Sequence, residues 1–315
     1  MSQPPAPSSA VTAAPASAPA PAPALHGYLA ALATVLIWAG FILISRLGGK
    51  TGLTGWDIVA LRLGTASLVL LPFSLRLPAG TWRDPKLWTL ALSGGLTFLV
   101  LVYAGFKLAP AAHGGILMPG MQPFLVTAAA WLILGARPPR QRVLALVPIA
   151  LGVLCVAIPS VMGTHGGAST HASTLLGDVM LFSASVSWAI YSVLVKKWAY
   201  DGWLLTRFVA LASCLVFMPV YLLFLPKGLD QVPMSMLVLQ ALYQGIGPTI
   251  LAMVLFLKAV TILGAERTGA MVALVPVMAG LGAVPLLDEP LTVWLVAGLL
   301  LVSTGAFLAA RPVRH

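Results

Sequence analysis

A chain of 315 residues that is 59% hydrophobic and only 8% charged, with mean hydropathy +0.98, is no soluble globule. Soluble domains carry roughly 25% charged residues, and this chain has too little polar surface to cover such a fold. The formal charge of +10 would suggest nucleic acid for a soluble protein, but the bases are dispersed between apolar segments. No nucleic-acid partner is therefore expected, and the basic residues are read as topological signals in a lipid bilayer.

Residues 1–26 read as a disordered Ala/Pro-rich tail: the first 25 hold seven prolines and no charge, which suits neither a helix nor a packed core. They lack the basic and unbroken apolar regions of a signal peptide, so no cleavage is expected. Ten membrane-spanning segments follow at 27–47, 56–78, 87–108, 113–134, 142–162, 173–195, 203–225, 236–258, 268–287 and 291–311. Each holds roughly 20 apolar residues, enough to cross about 30 Å of hydrocarbon at 1.5 Å per residue. Turn-forming stretches such as GGKTGLTG at 48–55 and GARPPRQR at 135–142 separate them.

With the N-terminus inside, twelve Lys and Arg residues fall at cytoplasmic ends and four (Arg46, Lys50, Lys107 and Lys227) at the opposite ends. The bias predicts that both termini are cytoplasmic and that the 165–173 loop lies outside. Arg62 and Arg207 fall inside spans, about 6–9 Å from a helix start. They are read as snorkelling to the interface or as structural ion pairs with Asp57 or Asp201, against a functional role.

The segments 27–47 and 177–197 share a leading Gly, a Trp eleven residues on (Trp38, Trp188) and a closing base (Arg46, Lys196). At similar offsets Arg62 answers to Arg207, Pro72 to Pro219, Gly94 to Gly245, Lys107 to Lys258, Pro123 to Pro276 and Gly152 to Gly305. The fold class expected is an all-α polytopic membrane protein, with ten transmembrane helices in two five-helix repeats at 27–162 and 173–311. An odd number of crossings per repeat makes the two copies inverted, an arrangement suited to alternating access.

Residues 255–292, with Gly264-Ala265, the mid-helix Pro276 and LLDEPLT at 286–292, resemble the end of a domain of the drug/metabolite transporter superfamily, the ten-helix type with two EamA repeats. PGMQPFLVTAAAWLILGARPP at 119–139 matches more loosely, with Ala136 where that family has Glu. The resemblance covers about residues 27–311 and implies a transporter, with export of amino acids, other metabolites or drugs as the family's range.

Trp38 and Trp188 fall about 17 Å along their helices, near the midplane, whereas membrane tryptophans favour the interfaces. Two readings stand side by side, core packing and the wall of a polar cavity shared with Tyr103, Gln122, Tyr191, Tyr243 and Gln244 as substrate-binding residues. No Asp or Glu is expected at that depth, which points to a small neutral or zwitterionic metabolite such as an amino acid, with drugs or other metabolites such as nucleotide precursors as the alternative and a membrane-embedded enzyme as the less favoured class. Pro123, Pro248 and Pro276 are read as mid-membrane breaks, and Asp288 and Glu289 as caps of the last helix. Cys155 and Cys214 are read as free and inert, and His113, His165 and His171 as converging on no acid. No enzyme motif, metal site or cofactor is expected, and oligomeric state is left open. The localisation expected is the inner (plasma) membrane.

Overall fold

The computed structural model describes residues 24–75, 77–135, 137–138, 140–162 and 168–310. Most of the tail, Arg76, Ala136, His165, Arg311 and Arg314 lie outside them, and the side chains of Arg142, His171 and Glu266 are likewise outside the description. The first repeat folds as α1 (Ala24–Lys50), α2 (Gly55–Ser74), α3 (Pro85–Leu108), α4 (Ala111–Leu134) and α5 (Arg140–Met162). The second folds as α6 (Ala168–Trp198), α7 (Gly202–Phe224), α8 (Met234–Leu263), α9 (Arg267–Leu287) and α10 (Val293–Ala310). Eight of these are long and apolar enough to cross a membrane, and α5 and α10 carry shorter apolar stretches, Val143–Cys155 and Val293–Leu308. The protein is an all-α polytopic membrane protein with ten transmembrane helices in two inverted five-helix repeats.

Local chemistry sets the helix ends. Thr54 and Asp57 form a reciprocal capping box at the start of α2, Asp84 caps α3 ahead of Pro85, and Asp201 caps α7 through the Leu204 N–H. Gly135, at φ 68°, closes α4 in the left-handed region that glycine reaches without strain. Helix α1 begins at Ala24, three residues inside the stretch read as tail, because Ala24, Leu25 and His26 carry no proline and extend the apolar helix by one turn.

Four helices are interrupted in the pattern of the repeat. In α3 a π-helical segment spans Ala91–Thr97, and in α8 another spans Gly247–Leu251 with Pro248 near its start. In α4 and α9 the chain restarts at Gln122 and Val275, with Pro123 and Pro276 in the first turn, where a missing N–H leaves no bond unmade. The broken helices α4 and α9 cross closely: a Cβ on Gly115 would sit 3.2 Å from the Pro276 Cα. Helices α5 and α10 pack backbone to backbone, a Cβ on Gly152 falling 2.8 Å from the Gly298 carbonyl oxygen and one on Gly305 falling 2.9 Å from that of Ala145.

Candidate functional site

The π-helical segments widen the turns of α3 and α8, and glycines let side chains of the other repeat come up to the backbone. A Cβ on Gly94 would lie 2.3 Å from the Tyr191 ring, so only glycine admits that ring. Between these walls is a cavity of about 90 Å³. Its lining comes from α2 and α3 of the first repeat (Arg62, Leu63, Ala66, Gly94, Gly95, Leu99) and from α6, α7 and α8 of the second, where Trp188, Tyr191, Thr206 and Thr249 supply the polar atoms.

Arg62 is the charged member of this lining, and the correction it brings is plain. It neither snorkels to an interface nor pairs with Asp57 or Asp201. Its Nη1 donates to the Tyr103 hydroxyl at 3.2 Å, and its guanidinium carbon stands 5.1 Å from the centre of the Phe41 ring. The Tyr103 hydroxyl in turn donates to Gln244 Oε1 at 3.1 Å, and Gln244 Nε2 donates to Ser45 Oγ at 3.1 Å. Tyr103, Gln244 and Ser45 are fully buried, so this chain from α3 through α8 to α1 holds one edge of the guanidinium from behind. Among the described residues Arg62 has no carboxylate partner. A cation at the centre of a membrane-spanning helix costs about 2.5–3.5 kcal/mol on insertion scales, so an arginine inside a span without a counter-ion is a candidate functional group. Asp57 is instead buried in its own cap, where it accepts from Tyr221 Oη at 2.7 Å and Gly228 N at 3.0 Å.

The sequence-derived candidates separate into three places. Trp188 and Tyr191 line the cavity, their rings 5.1 Å apart, with Phe98 4.9 Å from Trp188. Tyr103 and Gln244 sit behind Arg62. Trp38 packs 5.4 Å from Phe256, Tyr243 donates to the Ile37 carbonyl at 3.1 Å, and Gln122 donates to the Ser185 carbonyl at 3.3 Å; none of these three lines the cavity. Arg62 carried a sequence signal, an ionisable residue inside a span. Its short distance from a helix start obscured that signal, and Arg207, at a similar distance, does bond the Phe73 and Trp203 carbonyls near helix ends.

A second cluster of contacts lies at the end of the molecule where α1 finishes. Arg46 Nε meets Glu289 Oε1 at 2.9 Å, and Glu289 Oε2 accepts the Ala111 N–H at 2.9 Å. Glu289 therefore caps α4 of the other repeat, not α10, whose first turn is capped by Thr292. His113 Nδ1 lies 2.9 Å from Asp178 Oδ1, which corrects the expectation that no acid stands near it. Lys50 also reaches the Leu287 carbonyl. These contacts tie one repeat to the other. At the opposite end Tyr200 donates to Asp84, the bond holding the Asp84 carboxyl below its ordinary 3.8 and pushing the Tyr200 phenol up to about 12. Among the described residues no three His, Cys, Asp or Glu side chains gather as a metal-ligand set.

The model of the EamA-like transporter family matches residues 25–158 and again 175–311. The chain belongs to the EamA-like transporter family. It is 26% identical over 230 residues to the uncharacterized transporter YyaM of Bacillus subtilis (strain 168), covering 71% of this chain and 72% of that one. An uncharacterized transporter of Archaeoglobus fulgidus is 27% identical over 293 residues, covering 89% of this chain and 96% of its own. A protein of known crystal structure shares the fold with a TM-score of 0.59 and 20% identity, over 90% of this chain and 96% of that one. In this transporter the family's repeat thus supplies both walls of the cavity.

Proposed function

We propose that the transporter works by alternating access, exporting a small neutral or zwitterionic metabolite, amino acids first, across the inner membrane with both termini in the cytoplasm. The observation that carries this reading is the cavity lined by both repeats, in a molecule whose repeats are also tied to each other by the Arg46–Glu289–Ala111 contacts. Exchange of the two near-equivalent half-structures would move such a site from one face to the other. At about 90 Å³ the cavity is contracted, well below the roughly 300–1,000 Å³ of drug-sized sites, which favours small metabolites over drugs in this state. The test is counterflow in liposomes holding the purified protein, with a panel of labelled amino acids. Saturable exchange of unmodified solute is the expected result. Chemical conversion of the solute, or flux no greater than in protein-free liposomes for every solute, would reject the reading.

A further inference from the structure

We propose that Arg62 is an anion-recognition residue that selects cargo bearing a free carboxylate, with Trp188 and Tyr191 receiving the apolar remainder of the molecule. The proposal rests on the cavity being the transport site and narrows its cargo, from neutral or zwitterionic metabolites to those with a carboxylate.

Three observations converge. Arg62 lines the cavity, and among the described residues only its Nη1 is hydrogen-bonded to the protein, so Nε and Nη2 keep donors for a ligand. Paired N–H donors in a planar fork match the two oxygens of a carboxylate, which a neutral amide or an amine cannot reproduce. The other free polar atoms of the lining point the same way: the Trp188 indole N–H and the Tyr191 hydroxyl have no protein partner among the described residues, while Thr206 and Thr249 already donate to the Gly202 and Gln244 carbonyls. The site is rich in donors. Third, no Asp or Glu belongs to the lining. Of the described carboxylates, Asp57, Asp230, Asp288 and Glu289 lie at or between helix ends on one face and Asp84 and Asp201 on the other, while Asp178, inside α6, is paired with His113. A carboxylate entering the cavity therefore neutralises its charge, whereas an amine without a carboxylate adds a second positive charge in a low-dielectric site.

The buried chain Tyr103, Gln244, Ser45 fixes the guanidinium from behind, which makes these positioning residues for Arg62. The Phe41 face on the guanidinium adds a cation–π contact that holds the plane without occupying an N–H.

An isosteric set tests this directly: leucine, 4-methylpentanoate, leucinamide and 3-methylbutylamine, scored by equilibrium competition and by thermal stabilisation of the detergent-purified protein. In the wild type the two carboxylates should bind at least about tenfold more tightly than the amide and the amine, as charge-assisted bonds require. Arg62→Gln should abolish that ratio. Arg62→Lys, which keeps charge but loses the fork, should retain part of it. The repeat-equivalent Arg207→Gln should leave it unchanged. The wild-type comparison needs no variant, so poor folding of Arg62→Gln cannot hide the answer. Equal binding of acid and amide, preference for the amine, or failure of both acids to bind overturns the proposal. Labelled-leucine counterflow is scored separately. Acid-selective binding without flux would support the anion site and reject transport, whereas flux without acid preference would reject the anion site alone.

Discussion

Arg62 and Arg207 occupy equivalent places in the two repeats and meet different neighbours, and the same divergence separates Trp38 from Trp188. Trp188 lines the cavity beside Phe98 and Tyr191, while Trp38 packs on Phe256 and is absent from the lining. Identical residues thus divide between cavity lining and packing elsewhere, which spacing along one chain cannot reveal because it carries no information about the opposing wall. Depth and chemistry in the sequence singled out Trp188 and Tyr191 as cavity candidates, and both line the cavity. Arg62 was misplaced, because distance from a helix end does not show whether a side chain turns toward lipid headgroups or inward. Truncation separates the two indoles. Trp38→Ala removes a half-buried ring from the core and should cost up to about 3 kcal/mol, the lower end for such losses, read as a fall in melting temperature in detergent. Trp188→Ala should lower leucine counterflow severalfold in protein matched for folded fraction. Normal transport by folded W188A would remove Trp188 from the solute path.

At the scale of elements, the spans, their order and the proline breaks were legible because apolar length and proline chemistry are properties of one segment. The π-helical widenings of α3 and α8 were not, since the hydrogen-bond shift depends on neighbours filling the widened turn, as Ser213 does by donating to the Ala91 carbonyl at 3.0 Å. Nor was the cap of α4 by Glu289, which stands 178 residues away in the chain. That cap and its ion pair with Arg46 hold α1, α4 and the α9–α10 junction together. The repeat-equivalent position of the first half is Ala136, which supplies no carboxylate, so the sequence offers this pairing at one end only. Glu289→Gln keeps an acceptor for the Ala111 N–H but removes the charge. Breaking this ion pair, whose side chains keep a little exposure, should cost about 3 kcal/mol at most, and the loss should fall on the state closed at that end. A cysteine at Thr249, in the cavity lining, should then react faster with an impermeant thiol reagent applied from that side, in a background lacking Cys155 and Cys214. An unchanged rate would mean that this pair does not govern closure.

For the whole molecule, inverted duplication converts a charge bias along the sequence into an orientation. Five crossings per repeat put Arg46, Lys107, Lys227 and the α6 N-terminus at one face, and Arg83, Lys86, Lys196 and Lys197 at the other. The basic residues at the first face are largely engaged with protein: Arg46 with Glu289 and the Phe106 carbonyl, Lys107 with the Leu53 carbonyl at 2.8 Å, and Lys227 with the Leu222 carbonyl at 2.9 Å. The surplus at the opposite face is what the positive-inside rule weighs, so that face should be cytoplasmic. Asp230, exposed between α7 and α8, and Arg137, exposed after α4, test this at described positions on opposite faces. In cells carrying a variant without Cys155 and Cys214, a cysteine at 230 should be modified by an impermeant thiol reagent in intact cells, and one at 137 only after the membrane is opened. The converse pattern would reverse the orientation of every helix, and it would place the end tied by Arg46 and Glu289 toward the cytoplasm, turning the proposed exporter's closed gate inward.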